Sequence, residues 1–380
     1  MPELATRPAE KPATRNALEL RNLSFFYGKF QGLKNVNMNV EERKVTAFIG
    51  PSGCGKSTLL RIIAGLETPD QGRLLINGQD ATYLEPAKRG LSMVFQSYAL
   101  FPHLNVADNI LFGLQVRRAD RQQQKERLRE ALALTNLEGL EERKPGQLSG
   151  GQRQRVALAR SIVSGHRICL MDEPLSNLDA KLRHTVRHEI RALQQRLGLT
   201  VVYVTHDQTE AMGMADHVVL LNAGHIEQQG SAQDLYGQPN SVFTAGFIGS
   251  PPMMMIHSDH VPVELWPSRR QYDQPHRVLV GVRPENLNLH EAGEQHVAAT
   301  VVHQEFQGAD AYVYVQLDDG HTLIVRAPHS RSVEAGARCG LSWNPVHAFY
   351  FNQDSGARLP TPSADALTAA PFAVPPAVLP

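Results

Sequence analysis

Cysteine is scarce in this chain. Its 380 residues hold three, Cys54, Cys169 and Cys339, odd in number and without the spacing of a metal site. Such a set excludes a disulfide framework and fits a reducing cytoplasm. Net charge is also missing, because Lys+Arg and Asp+Glu both number 38. Composition therefore offers no electrostatic argument for a nucleic-acid partner or for attachment to an anionic membrane. No apolar run approaches the roughly 20 residues that cross a bilayer. The opening "MPELATRPAEKPATRN" lacks the apolar middle of a signal peptide. Any work at a membrane then needs a partner, and no internal repeat suggests a solenoid.

What is present suffices for a large core. With 42% hydrophobic and 20% charged residues, the chain reads as an ordinary globular protein of two domains. Residues 1–16 and 355–380 are Pro/Ala-rich and aperiodic, and are expected to be disordered tails. Across residues 17–250, short β-rich runs alternate with helical periods, the pattern of an α/β domain. "VTAFIG", "ICLMDEP" and "TVVYVTH" read as buried strands ending in polar residues, where parallel sheets place their sites. In "DAKLRHTVRHEIRALQQRLG", Leu182, Val186, Ile190, Leu193 and Leu197 fall on one helix face, and Gly198 is a natural stop. "DRQQQKERLREALALTNLEGL" is a second amphipathic stretch and suggests a helical subdomain. A linker is expected over 251–276. From residue 277 to 354 the texture is alternating strands, with "AYVYVQL" and "HTLIVRA" joined through Asp319-Gly320, a strong hairpin signal.

"GPSGCGKST" fits G-x-x-x-x-G-K-[ST] directly after the strand "KVTAFI" and before the helical "TLLRIIAGL". In the loop Gly50, Pro51, Ser52, Gly53, Cys54 and Gly55, the glycines would let backbone N–H groups curl around a phosphate. Lys56 would neutralise its oxygens, and Ser57, followed by Thr58, would offer a hydroxyl to Mg²⁺. Cys54 lies near a helix N-terminus, where a thiol pKa can fall, but its size also suits a plain filler. "RICLMDEP" supplies adjacent carboxylates at a strand end. Because neighbours on a strand point differently, one of Asp172 and Glu173 can order the Mg²⁺ shell while the other reaches a water as general base. His206 ends "TVVYVTH" and Gln96 ends "LSMVFQ", each open to a structural reading as well. A second anion site lies at "LSGGQ", where Ser149, Gly150 and Gly151 open a helix and leave backbone N–H groups unpaired, with Gln152 next.

These motifs, in order, resemble those of ATP-binding subunits of ABC transporters. The whole chain resembles the branch that imports carbohydrates and glycerol phosphate. That resemblance implies an α/β P-loop ABC-type ATPase domain with a helical subdomain, then a small all-β OB-like (TOBE-type) regulatory domain, the latter matched by "VLVGVRPENL". It implies ATP and Mg²⁺ as ligands: Tyr27 on adenine, Gln96 between metal and transmembrane partner, Glu173 polarising the attacking water, and His206 at the γ-phosphate. By the same resemblance, Ser149 and Gly151 close on ATP held by a second copy, with Asp179 across that interface. Two transmembrane permease subunits, a solute-binding protein acting indirectly, no nucleic acid, and a place on the cytoplasmic face of the cell membrane follow. "SYALFPHLNV" is expected to expose aromatics as a groove for the permeases. The cargo expected is a sugar, polyol or sn-glycerol 3-phosphate, with polyamine or ferric iron behind. The rival is an ABC ATPase unconnected with transport.

Overall fold

The computed structural model describes residues 15–360. They divide into two units, the first ending at Ala232 and the second starting at Gln233. In the first, β1 (Asn16–Tyr27), β2 (Phe30–Glu41), β4 (Gln71–Ile76) and β5 (Gln79–Asp80) form an antiparallel sheet, ordered β2-β1-β4-β5. A second sheet is built from β3 (Val45–Ile49), β6 (Leu91–Val94), β7 (Ile168–Asp172), β8 (Thr200–Val204), β9 (His217–Asn222) and β10 (His225–Gly230), ordered β10-β9-β3-β8-β7-β6. All its pairings are parallel except that of β10 with β9. The strands β3 and β8 are buried at every position, which is why they read as continuous apolar runs rather than alternating ones.

Helix α1 (Lys56–Ala64) follows β3 and buries Leu59, Leu60, Ile62 and Ile63 against the sheets. Its C-terminus is met by a buried arginine: Arg89 donates to the carbonyls of Ile62 and Ile63 at 2.6 and 3.0 Å. Helices α2 (Val106–Val116), α3 (Arg121–Thr135) and α4 (Gly150–Val163) share a separate core of Val106, Ile110, Leu132, Val156 and Ala159. This is the helical subdomain. Helix α5 (Ala180–Leu197) turns Val186, Ile190 and Leu193 inward and stops at Gly198, whose φ of 61° a Cβ would strain. The short α6 (Gln208–Met214) then leads to β9.

The second unit begins within α7 (Ala232–Gly237) and includes α8 (Val242–Phe247). Strands β11 (Met254–His257), β12 (Val278–Val282) and β18 (Ala348–Asn352) form one sheet. The other contains β13 (Asn288–Glu291), β14 (Val297–Gln307), β15 (Asp310–Leu317), β16 (Thr322–Pro328) and β17 (Arg338–Ser342), ordered β13-β17-β14-β15-β16. The Asp319-Gly320 hairpin joins β15 to β16, with Gly320 at φ 91°.

Four boundaries differ from expectation. Residues 251–276 are not a linker, because β11 pairs with β12 and Leu265 and Trp266 are fully buried in this unit's core. Trp266 stacks on Tyr350 at 5.7 Å. A stretch of prolines, methionines and single-turn helices carries no periodicity, so its burial is invisible in sequence. Residues 233–250 group with the second unit: the buried Arg283 donates to Ala245 O and Tyr236 O and lies 3.9 Å over the Tyr236 ring. Residues 355–360 are not tail, since Leu359 N–H bonds Tyr350 O and Val242 N–H bonds Gly356 O. Asn16 opens β1. The remainder of both expected tails lies outside the described residues.

Candidate nucleotide site

Four adjacent strands end at one edge of the parallel sheet, and each delivers a polar group there. The loop after β3 curls into α1, whose cap Gly55 has φ 106° and no side-chain cap. Its first N–H groups are therefore available to an anion. Two glycines are sterically required: a Cβ on Gly50 would lie 2.2 Å from Leu221 O, and one on Gly55 2.7 Å from a Leu33 methyl. Lys56 is buried and donates to Gly50 O and Pro51 O at 2.8 and 2.9 Å, so the loop wraps its own ammonium. Cys54 is the filler beside it, with Sγ 3.8 Å from Lys56 Nζ. Burial pushes its thiol pKa up, against the pull of Lys56.

A cavity of about 540 Å³ opens above this loop, lined by Tyr27, Ser52, Gly53, Gly55, Lys56, Ser57, Thr58, Glu173 and His206. The hydroxyls of Tyr27 and Thr58 lie 2.9 Å apart, which holds the tyrosine over the mouth. At the floor, Ser57 Oγ donates to Asp172 Oδ1 at 3.1 Å. Burial raises the Asp172 pKa and nearby Glu173 raises it further, while Ser57, Arg61 and Lys56 oppose them. An oxygen-only pair of this kind suits a hard divalent cation such as Mg²⁺. Among the described residues no cluster of three or more His, Cys, Asp or Glu could hold a metal.

Glu173 stands in the left-handed region, with φ 44°, a strained conformation of the kind that clusters at functional sites. Its Oε2 lies 3.1 Å from Gln96 Nε2 and 3.2 Å from His206 Nδ1. The carboxylate is thus shared between an amide and an imidazole, both from neighbouring strand ends. Gln96 is turned toward Glu173 and Ser176 rather than toward Ser57 and Asp172.

Ser149, Gly151, Gln152 and Asp179 do not line this cavity. Ser149 caps α4 by accepting from Gln152 N–H, and Gln152 Oε1 accepts from Ser149 N–H in return. Asp179 caps α5 by accepting from Leu182 N–H at 2.9 Å.

Several contributors went unread in the sequence. Ser176 Oγ accepts from Gln96 Nε2, and Asn177 Nδ2 donates to Gln96 O, so the turn before α5 grips the segment carrying Gln96. Arg160 of α4 donates to Tyr98 O and Ala99 O. Both of those residues have positive φ. "SNLD" is the available signal for Ser176 and Asn177, whereas nothing in the sequence sets Arg160 apart from other helix charges. The expectation of exposed aromatics in "SYALFPHLNV" is corrected at Tyr98, which is buried in a core shared with Val94, Leu158 and Met171. Phe101 is partly buried and packs on the half-exposed Phe112 at 4.3 Å.

Residues 33–176 match the ABC transporter family model and residues 280–351 the TOBE domain. The chain is 44% identical over 348 residues to the sn-glycerol-3-phosphate import ATP-binding protein UgpC 1 of Rhizobium etli, covering 90% of this chain and 98% of that protein. It is 43% identical to the maltose/maltodextrin import ATP-binding protein MalK of Vibrio cholerae, over 88% and 94% of the two chains. Among solved structures, the dimeric structure of MJ0796, a bacterial ABC transporter cassette, aligns with TM-score 0.51 and 33% identity, covering 56% of this chain and 98% of that one.

Proposed function

Because the chain belongs to the ABC transporter family of import ATP-binding subunits, and so is an ATPase, we propose that it powers uptake of sn-glycerol 3-phosphate or a related polyol or sugar. The cargo reading rests on relatives named for glycerol phosphate and maltose import. Two copies would meet head to tail, each signature helix α4 facing the loop of the other. The observation that carries this is a division within one chain: the cavity holds Lys56, Glu173 and His206, while Ser149 and Gly151 do not line it. At the N-terminus of α4 the capping box takes the N–H groups of Ser149 and Gln152, so those of Gly150 and Gly151 would meet the phosphate of a second copy.

In this reading Tyr27 stacks on adenine, and the N–H groups from Ser52 to Thr58 hold the phosphates. Lys56 exchanges its two carbonyl partners for phosphate oxygens. Ser57 and Asp172 would hold Mg²⁺, which when bound neutralises charge on the β- and γ-oxygens. Glu173 orients and deprotonates the attacking water, and His206 contacts the γ-phosphate. Gln96 and His206 both engage Oε2 of Glu173, so Oε1 would be the oxygen that takes the proton of the water. Loss of the γ-phosphate removes the shared ligand and lets the pair open, a switch driven by differential contact. No helix among the described residues is long and apolar enough to cross a membrane. Two permease subunits would supply the span, and the protein would sit peripherally on their cytoplasmic face.

Cysteines placed at Ser52 and Ser149 should crosslink between chains when ATP is present. Bonds forming only within a chain would sink the head-to-tail arrangement. Deleting the gene and measuring labelled uptake would decide the cargo: glycerol phosphate entry should fall, and a selective loss of maltose entry would move the assignment to sugars.

A further inference from the structure

We propose that Glu210 is a positioning residue for hydrolysis, one whose buried carboxylate sets the location of His206. The inference rests on the role just given to His206. Glu210 is 5% exposed, yet no Lys, Arg or His forms an ion pair with it among the described residues. Its Oε2 instead accepts from Tyr203 OH at 2.9 Å and from Thr205 Oγ1 at 2.7 Å. A desolvated carboxylate without a cation is costly to keep, and an apolar residue would pack there at less cost.

What the carboxylate holds is the turn that carries His206. The Thr205 hydroxyl donates to Glu210 and accepts from Asp207 N–H at 3.0 Å, closing a ring around the residue between them. Thr205 N–H bonds Phe48 O, in the strand that feeds the phosphate loop. Asp207 in turn caps α6 by accepting from Thr209 N–H at 2.7 Å. The His206 side chain itself is 57% exposed. With so little packing around the ring, its distance to Glu173 is governed by the backbone on either side. Glu210 ties both sides.

Glu210→Gln keeps the size and one acceptor oxygen but removes the charge, so the bonds from Tyr203 and Thr205 lose their charge assistance. Catalytic groups displaced by about 1 Å lose up to ~100-fold in rate, so kcat should fall at least tenfold. ATP affinity and the melting transition should stay near wild type. In protein labelled with ¹³C in its histidine rings, the His206 resonance, identified by its loss in His206→Ala, should move in Glu210→Gln. Thr205→Val should act in the same direction and Thr205→Ser should restore what valine loses, a pair that serves equally if Glu210→Gln fails to fold. Unchanged turnover in Glu210→Gln and Thr205→Val, or lost turnover with an unmoved His206 resonance, would overturn the proposal. A wild-type protein that neither binds nor hydrolyses ATP would instead refute the reading of the whole site.

Discussion

In the proposed mechanism, Glu173 concentrates the chemistry of this protein at one residue. Its backbone is strained, its carboxylate is held by Gln96 and His206, and the adjacent Asp172 faces Ser57. Neighbours on a strand end point apart, which lets two carboxylates serve different partners. Glu173→Gln preserves the shape and the contact with Gln96 but cannot accept a proton from water. ATP binding should survive, while hydrolysis should fall by about a hundredfold or more, the scale of a lost general base. The variant should also remain a closed dimer with ATP, visible as an earlier peak in gel filtration. Turnover at the wild-type rate would remove Glu173 from the base role.

Among the elements, α5 is joined to the sheet by one bidentate pair. Arg191 donates to both carboxylate oxygens of Asp216, at 2.6 and 2.8 Å, and Asp216 also accepts from Val45 N–H at 2.8 Å. Burial alone would raise the Asp216 pKa, but the bonds from Arg191 and Val45 and the charge of Arg191 outweigh it and bring the net value below 3.8. A depressed folded value means the contribution is full above the unfolded pKa and fades as pH falls through the folded one. Asp216→Asn should cost about 1–3 kcal/mol at neutral pH, because a charge-assisted bond is lost and Arg191 is left without its carboxylate. The melting difference from wild type should shrink below about pH 4. An equal difference at pH 3 and pH 7 would contradict this pairing as its source.

Taken as a whole molecule, the protein should work as a pair of composite sites, and this can be tested by complementation. Gly151 is a poor position to alter, since a Cβ there would lie 2.9 Å from a Leu182 methyl of the same chain. Ser149→Asp is cleaner: aspartate caps a helix as well as serine, yet it places a negative charge where a phosphate must approach. Ser149→Asp chains should bind ATP but not hydrolyse it, and Lys56→Ala chains should bind ATP poorly, having lost a charge-assisted phosphate contact. Mixed together, they form heterodimers in which one site combines an intact loop with an intact signature. ATPase activity should reappear in the mixture and in neither variant alone. If both single variants are inactive and mixtures at every ratio stay inactive, the two sites do not fire independently.

How much of this was legible depended on whether the physics was local. The phosphate loop, the signature helix with its Ser149 cap, the strands β3, β7 and β8, helix α5 with its Gly198 stop, and the Asp319-Gly320 hairpin all follow from backbone conformation and short-range periodicity. Those properties are written within a dozen neighbouring residues, so the sequence by itself determined them. Tertiary structure alone decided that Glu173 lies between Gln96 and His206, residues 77 and 33 positions away along the chain, and that Asn177 grips the Gln96 backbone. It also decided that Arg89 caps α1 from a distance, that Tyr98 turns inward, and that 251–276 folds into the second unit's core. In each case the partner is supplied by strand order and packing rather than by neighbours in the chain. Strand order depends on long-range pairing, and no local pattern of residues encodes which distant group will arrive to complete a hydrogen bond or a core.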